Sequence, residues 1–240
     1  MKVRVKFTKQ GAVKYIGHLD IMRYFQKAIR RSGIDIAYSQ GYNPHMIMSF
    51  AAPLGVGITS RGEYFDIELT APVSSKEAVR RLNETMAEGI EILSVRHISD
   101  EKISRAMSLV AAADYLVSFR KGQEPKVRWK SILEEFYQQD NIIVWKKTKK
   151  SEKQMDIKPF IYELHMDEKG EIFMKLASGS ENNIKPSLVM EAFADFAGFP
   201  LKKFSFHVQR EEIYAKRKEE NISSFITLED LGEEIKDVEI

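Results

Sequence analysis

From Val3 to Thr8 apolar and basic residues alternate at every second position, the period of a strand with one buried face. Gln10-Gly11 breaks the pattern. After His18 the period lengthens: Leu19, Met22, Phe25 and Ile29 fall on one side of a helix, and Gly33 after Arg30-Arg31-Ser32 stops it. Ile34 to Tyr38 returns to extended structure, the turn Gln40-Gly41-Tyr42-Asn43-Pro44 interrupts it, and Met46 to Phe50 resumes it. A loop carrying Pro53, Gly55, Gly57 and Arg61-Gly62 leads into the alternating segment Tyr64 to Leu69. Ser74-Ser75 is the cap of a helix through Met86 closed by Gly89, and Ile90 to His97 is extended again. This β-α-β-β-α-β order predicts a ferredoxin-like arrangement, a four-stranded antiparallel sheet with both helices on one face.

After a connector from Ile98 to Leu109 a similar order recurs. Asp114 to Phe119 reads as a strand, and Val127 to Gln139 as a helix with Val127, Ile132, Leu133 and Phe136 in the core. Ile142 to Trp145 is a short strand, followed by the basic run Lys146 to Lys150. Pro159 to Leu164 and Glu171 to Leu176 flank a turn at Asp167–Gly170, a hairpin. Pro186 to Ala197 forms a helix ended by Gly198, and Phe204 to Val208 closes the unit. In each half a proline, Pro44 or Pro159, opens the strand after a polar insertion. The expected fold class is therefore α+β, two tandem ferredoxin-like (βαββαβ) domains with antiparallel sheets produced by a divergent duplication. The expected domains are 1–98 and 110–210, followed by an acidic tail, 211–240, that is mobile or loosely packed.

Hydrophobic residues at 43% and charged residues at 30% are ordinary for a soluble globular protein. No apolar run is long enough to span a bilayer, and the N-terminus is neither a signal nor a transit peptide, so the cytoplasm is expected and a membrane is not. The absence of cysteine excludes disulfides, thiolate zinc sites and cysteine-held iron–sulfur clusters within these residues. Net charge is +2, but it is unevenly spread. Met1 to Arg61 carries ten Lys/Arg against two Asp/Glu, whereas Glu211 to Ile240 carries four against ten. A basic head and an acidic tail suggest a polyanion-binding surface and a segment that competes for it.

The chemistry gathers around Tyr15-Ile-Gly-His-Leu-Asp20 and Tyr38 to His45. Arg23, Lys27, Arg30 and Arg31 share the helix side opposite the apolar stripe, an arrangement suited to a phosphate backbone. Tyr15, Tyr24, Tyr38 and Tyr42 offer stacking surfaces for unpaired bases, about half of them expected in the core, with Gln40, Asn43, His45 and Arg61 as further RNA contacts. His18 is a candidate general base for a ribose hydroxyl and equally a structural, hydrogen-bonded histidine. Asp20 is a first-turn acid that complements the helix dipole. His18, Asp20 and His45 match no metal-ligand spacing, and no Walker or dinucleotide motif is present, so neither metal nor cofactor is expected. Asp156 before Ile157-Lys158-Pro159 is expected to fix a strand entry by hydrogen bonding to backbone.

Tyr15-Ile-Gly-His-Leu-Asp20, Ala28-Ile-Arg-Arg-Ser-Gly33, Ala37-Tyr-Ser-Gln-Gly-Tyr-Asn-Pro-His45, Ser49-Phe-Ala-Ala-Pro-Leu54 and the later Asp156-Ile-Lys-Pro159 together resemble the radical SAM-linked protein family, a domain of unknown function found beside or fused to a radical SAM protein. The resemblance covers most of the chain up to about Arg210. It implies a radical SAM protein as partner and RNA- or ribosome-related work. With no C-x-x-x-C-x-x-C site, the sequence looks like the accessory half, supplied as a separate polypeptide. The leading expectation is a non-catalytic accessory protein that binds RNA. Two alternatives stand beside it. One is a metal-independent endoribonuclease with His18 as catalytic residue, similar in fold to the CRISPR repeat-processing enzymes. The other is a protein-interaction scaffold using exposed sheet edges.

Overall fold

The structure is a computed structural model that describes residues 1–99, 105–147, 152–219 and 222–237. Its architecture is mixed α/β, with five α-helices among the described residues. The chain divides into two compact units: unit 1 is Met1–Ala111 together with Arg210–Ile240, and unit 2 is Ala112–Gln209.

Unit 1 contains β1 (Lys2–Lys9), α1 (His18–Ser32), β2 (Met48–Phe50), β3 (Thr59–Glu68), α2 (Ser75–Asn83), β4 (Ile92–His97) and the short α3 (Ala106–Leu109). β1 lies between β3 and β4, β2 pairs with the end of β3, and all these pairings are antiparallel. The order β-α-β-β-α-β expected of the first half is thus present. One sheet face follows from strand parity: Val3, Val5 and Phe7 of β1 lie opposite Ile67, Phe65 and Glu63 of β3. Against this face pack Ile21, Phe25 and Ile29 of α1 and Ala78 and Leu82 of α2, with Phe25 4.7 Å from both Phe7 and Phe65 between ring centroids.

The helix ends obey local chemistry. Gly33 takes φ +66° and terminates α1. The Ser74 side chain accepts from the backbone N–H of Glu77 and so caps α2. Three expectations need correction here. Leu19 is 67% exposed, because it stands about 160° around the helix from Ile21, which anchors the buried stripe. α2 ends at Asn83 rather than Met86. Ile34 to Tyr38 is not a strand but makes isolated bridges, Ile36 to Leu69 and Tyr38 to Met46.

The opposite face of the same sheet explains the C-terminal residues. Arg4 and Lys6 of β1 lie opposite Asp66 and Tyr64 of β3. The chain returns here after unit 2: β10 (Phe206–Glu219) lies next to β3 in the sheet, β11 (Ile222–Thr227) pairs with β10, β12 (Glu233–Glu234) pairs with β4, and Glu212, Leu228 and Glu229 reach Arg4 and Lys6. Arg4 forks onto both Asp66 oxygens (2.8 and 3.1 Å) and donates to Leu228 O (3.0 Å). Lys6 Nζ reaches Glu212 (2.7 Å) and Glu229 (2.9 Å), and Tyr64 Oη donates to Glu212 (2.6 Å). The expectation of a loosely packed tail is therefore overturned: Glu212 and Glu229 are the counter-charge that lets Lys6 lie under cover, while Asp66 serves Arg4.

Unit 2 contains β5 (Val110–Phe119, whose first two residues belong to unit 1), α4 (Trp129–Tyr137), β6 (Ile143–Lys147), β7 (Glu152–Asp156), β8 (Ile161–Met166), β9 (Ile172–Ala177) and α5 (Pro186–Ala197). β9 pairs antiparallel with both β5 and β8. Its core joins Trp129, Leu133 and Phe136 of α4 to Val189, Met190 and Phe193 of α5. Val127, expected in that core, is 39% exposed and precedes the helix, which starts at Trp129. The strand expected at Ile142 to Trp145 is β6, but it pairs only with β7 as a separate hairpin. Asp156 closes that hairpin as its sequence suggests, accepting from the backbone N–H of Ile142 (2.9 Å) and of Lys158 (3.0 Å). Of the basic run, Lys149 and Lys150 lie outside the described residues.

Candidate functional site

α1 places its charges by helical geometry. With Ile21, Phe25, Ala28 and Ile29 buried, the intervening Arg23, Lys27, Arg30 and Arg31 face solvent. Arg23 stands 3.4 Å from Asp20, an exposed pair one turn apart, and Arg31 donates to Thr85 O (3.1 Å). Lys27 and Arg30 form no ion pair among the described residues. The C-terminal carboxylates engage Lys6, Arg61 and Arg96 rather than these helix cations. Arg61 remains 64% exposed although Glu211 approaches it to 3.7 Å.

Tyr15 ends the 3-10 turn Gly11–Tyr15 and is 63% exposed, with Lys14 Nζ 5.2 Å from its ring centroid. The Tyr38–Met46 bridge closes a loop that is tied by Ser39. Its backbone N–H donates to His45 O (2.8 Å), its hydroxyl accepts from the His45 N–H (3.1 Å), and that hydroxyl also meets His45 Nδ1 (2.9 Å). Gln40, Tyr42 and Asn43 stand exposed on this pinned loop, and Tyr38 is 40% exposed.

The two histidines do not meet at one site. His18 opens α1, lies edge-on to Phe50 at 5.3 Å between ring centroids, and lines a cavity of about 10 Å³, room for one water. Lys9 and Glu63 share that wall. Burial, and then the Lys9 ammonium, lower the His18 imidazole below its usual pKa, against the opposing Glu63 carboxylate. Both influences favour the uncharged imidazole. His45 lines a different cavity, of about 240 Å³, with Lys2, Met46, Met48, Asp66 and Arg105. Among the described residues no group of three or more His, Cys, Asp or Glu is placed to hold a metal ion.

Around His18 lies a charge cluster that the sequence reading missed. Lys9, Glu63 and Arg210 are each 3% exposed. Arg210 grips both Glu63 oxygens (2.7 and 2.5 Å) and donates to Ala52 O (3.3 Å), while Lys9 Nζ donates to Ile16 O (2.7 Å). Burial lowers the Lys9 ammonium below its ordinary pKa, opposed by Glu63 and assisted by Arg210. A signal was available: Lys9 continues the parity of Val3, Val5 and Phe7, and Glu63 that of Phe65 and Ile67, so both charges fall on the core face. Lys9 sits just past a register shift in the β1–β3 pairing, where it swings toward the Ile16 carbonyl.

All these features except Arg210 and the C-terminal carboxylates fall inside residues 2–186, which match the profile of a family described as an uncharacterized protein conserved in bacteria (DUF2344). The chain belongs to this family. Its description names neither an activity nor a partner. The family match thus spans α1, the loop with Tyr42 and most of unit 2, and stops at the first residue of α5. Comparison with the curated proteins gives no match. Among the described residues no helix is long and apolar enough to cross a membrane.

Proposed function

We propose that this protein is a non-catalytic accessory protein of a radical SAM enzyme and binds RNA through the exposed face of α1. The observation that carries the RNA reading is the solvent-facing row Arg23, Lys27, Arg30 and Arg31, while the C-terminal carboxylates are engaged on the other side of the sheet. A polyanion neutralised by four such cations releases their counterions, which gives single-stranded RNA a slope of about −3 in log affinity against log salt. The exposed Tyr15 and Tyr42 supply stacking surfaces for unpaired bases. The radical SAM partner rests on the motif resemblance, from Tyr15-Ile-Gly-His-Leu-Asp20 to Asp156-Ile-Lys-Pro159. Strand order supports a tandem ferredoxin-like duplication as the framework. The series β4-β1-β3 with β2 on β3 in unit 1 has its counterpart in β5-β9-β8 with β10 beside β5. The β6–β7 hairpin then occupies the place of the Ser39–His45 loop.

The test is RNA binding by the full chain at 50 and 200 mM salt, with Arg23, Lys27, Arg30 and Arg31 all changed to alanine as the control. The wild type is expected to lose roughly 50-fold in affinity across that range from these contacts, and the variant to lose most of that dependence. Equal salt slopes in both proteins would end the α1 reading. Co-purification with a radical SAM protein tests the partner. The endoribonuclease reading has one support, the lowered pKa of the His18 imidazole beside Lys9 and Glu63. It requires RNA cleavage in EDTA that His18→Ala abolishes.

A further inference from the structure

Within unit 2 the chain runs from Gly198, the end of α5, to β10 through Phe199–Ser205. The backbone N–H of Ser205 donates to Lys202 O (3.2 Å), closing a turn whose third residue, Phe204, has φ +60°. A left-handed third position ordinarily belongs to Gly or Asn, because a Cβ crowds the backbone there. Phe204 is the one non-glycine with positive φ among the described residues, and it is 80% exposed. Core packing therefore does not explain the choice: a bulky ring is held in a strained turn and presented to solvent.

Beside the turn is a cavity of about 260 Å³, with Phe119, Pro125, Lys126, Phe199, Lys202 and Ser205 in its wall. Ser205 is 3% exposed, and its buried hydroxyl has no hydrogen-bond partner among the described residues. The same is true of the Nε of Arg120, whose backbone N–H donates to Ser205 O (2.8 Å). A buried hydroxyl left without a partner in a cavity wall can pair with water or with a polar ligand that enters the cavity. The two segments that form this end of unit 2, residues 120–128 and 199–205, carry six Lys/Arg and a single acid, Glu124. Lys121, Lys126, Lys202 and Lys203 are all exposed.

We propose that this turn and cavity bind an unpaired, base-bearing segment of RNA. One base stacks on Phe204, Lys202 and Lys203 hold its phosphates, and a neighbouring base enters the cavity toward the Ser205 hydroxyl. Charge selects a polyanion, and the exposed ring selects one with aromatic bases. The proposal takes its ligand class from the RNA reading of α1 but stands on separate residues in a separate unit.

The test uses the full chain and two fluorescein-labelled probes, a single-stranded ribonucleotide octamer and an abasic octamer of equal charge, with fluorescence anisotropy as readout. Phe204→Gly suits the left-handed turn, so its melting temperature is expected at or above that of the wild type. It is expected to bind the base-bearing octamer about tenfold more weakly and the abasic octamer unchanged. Phe204→Asn must behave like Phe204→Gly, and Phe204→Tyr must restore wild-type affinity. The fourfold alanine variant of α1 is expected to weaken both octamers alike. Should that variant bind normally while Phe204→Gly does not, the α1 reading falls and this one stands. Equal affinity of wild type and Phe204→Gly for the base-bearing octamer overturns the proposal, including when the same surface captures a protein instead. Failure of the wild type to bind either octamer overturns it as well.

Discussion

Replacing Arg210 by methionine takes away one half of an ion pair whose side chains are each 4% exposed. Three hydrogen bonds go with it, two to the Glu63 carboxylate and one to Ala52 O. The loss that matters is the carboxylate left behind. Breaking a buried pair from one side costs about 3–5 kcal/mol, because the remaining charge stays desolvated and uncompensated. Lys9 sits nearby, but its ammonium is committed to Ile16 O at 2.7 Å and makes no hydrogen bond to Glu63, so it offsets the carboxylate only in part. At about 2 kcal/mol per molar urea, the expected fall in the unfolding midpoint of unit 1 is about 2 M. The decisive comparison is the double variant Arg210→Met/Glu63→Leu. It buries no charge at either position and is expected to recover most of the loss. Both tryptophans, Trp129 and Trp145, belong to unit 2, so their emission reports that unit. Far-ultraviolet circular dichroism and hydrogen exchange of β3 peptides follow unit 1. If the single and double variants are equally unstable, or the single variant loses less than about 1 kcal/mol, the uncompensated-charge argument is wrong.

Glu229 gives a pH prediction. Burial alone would raise its carboxyl, but the Ser94 hydroxyl, then Lys6 at 2.9 Å and Arg96, outweigh burial and hold it below the ordinary value of 4.5. A folded pKa below the unfolded one contributes stability above pH 4.5 that is lost as pH falls through the folded value. In acid titrations followed by circular dichroism, Glu229→Gln is therefore expected to lose stability less steeply than the wild type below pH 4.5; parallel curves would contradict this. Gly62→Ala would put a Cβ 2.6 Å from the backbone oxygen of Glu211, where neither strand can yield cheaply, and is expected to cost about 1–3 kcal/mol in urea melts. Ser74→Ala removes the α2 cap and is expected to cost about 1 kcal/mol, with faster hydrogen exchange confined to the first turn of that helix.

The sequence carried the first ninety-odd residues well, because each boundary there has a local cause. Gly33 needs its left-handed φ, Ser74 has a helix N–H to accept, and the parity of Val3, Val5 and Phe7 identifies the buried side of β1. The stripe of α1 was misplaced at Leu19 because three apolar residues at 19, 21 and 22 leave the phase open, and only the sheet selects Ile21. The C-terminal residues were opaque for a different reason. Counting charges reveals an acidic excess but not that Glu212 and Glu229 meet Lys6, more than two hundred positions earlier. Of the candidate site, the exposure of Arg23, Lys27 and Arg30 follows directly from helix periodicity. The separation of His18 from His45 does not, since it depends on which end of β2 each loop reaches: Phe50 at the C-terminal end contacts His18, whereas Met48 at the N-terminal end lines the cavity with His45.

The residues that meet Arg4 and Lys6 from the C-terminal part, Glu212, Leu228 and Glu229, come only after the whole of unit 2 has been specified along the chain. During translation at about 5–20 residues per second, residues 112–209 occupy the ribosome for roughly 5–20 s between the two parts of unit 1. Throughout that interval β1 has emerged with two cations destined for burial and no Glu212 or Glu229 to receive Lys6. Unit 2, continuous in sequence, is free to fold first, and unit 1 is completed last. A nascent chain arrested before Arg210 should accordingly yield a protease-resistant unit 2 beside an N-terminal segment that is still digested, and the segment's resistance should appear only once Glu229 has left the exit tunnel.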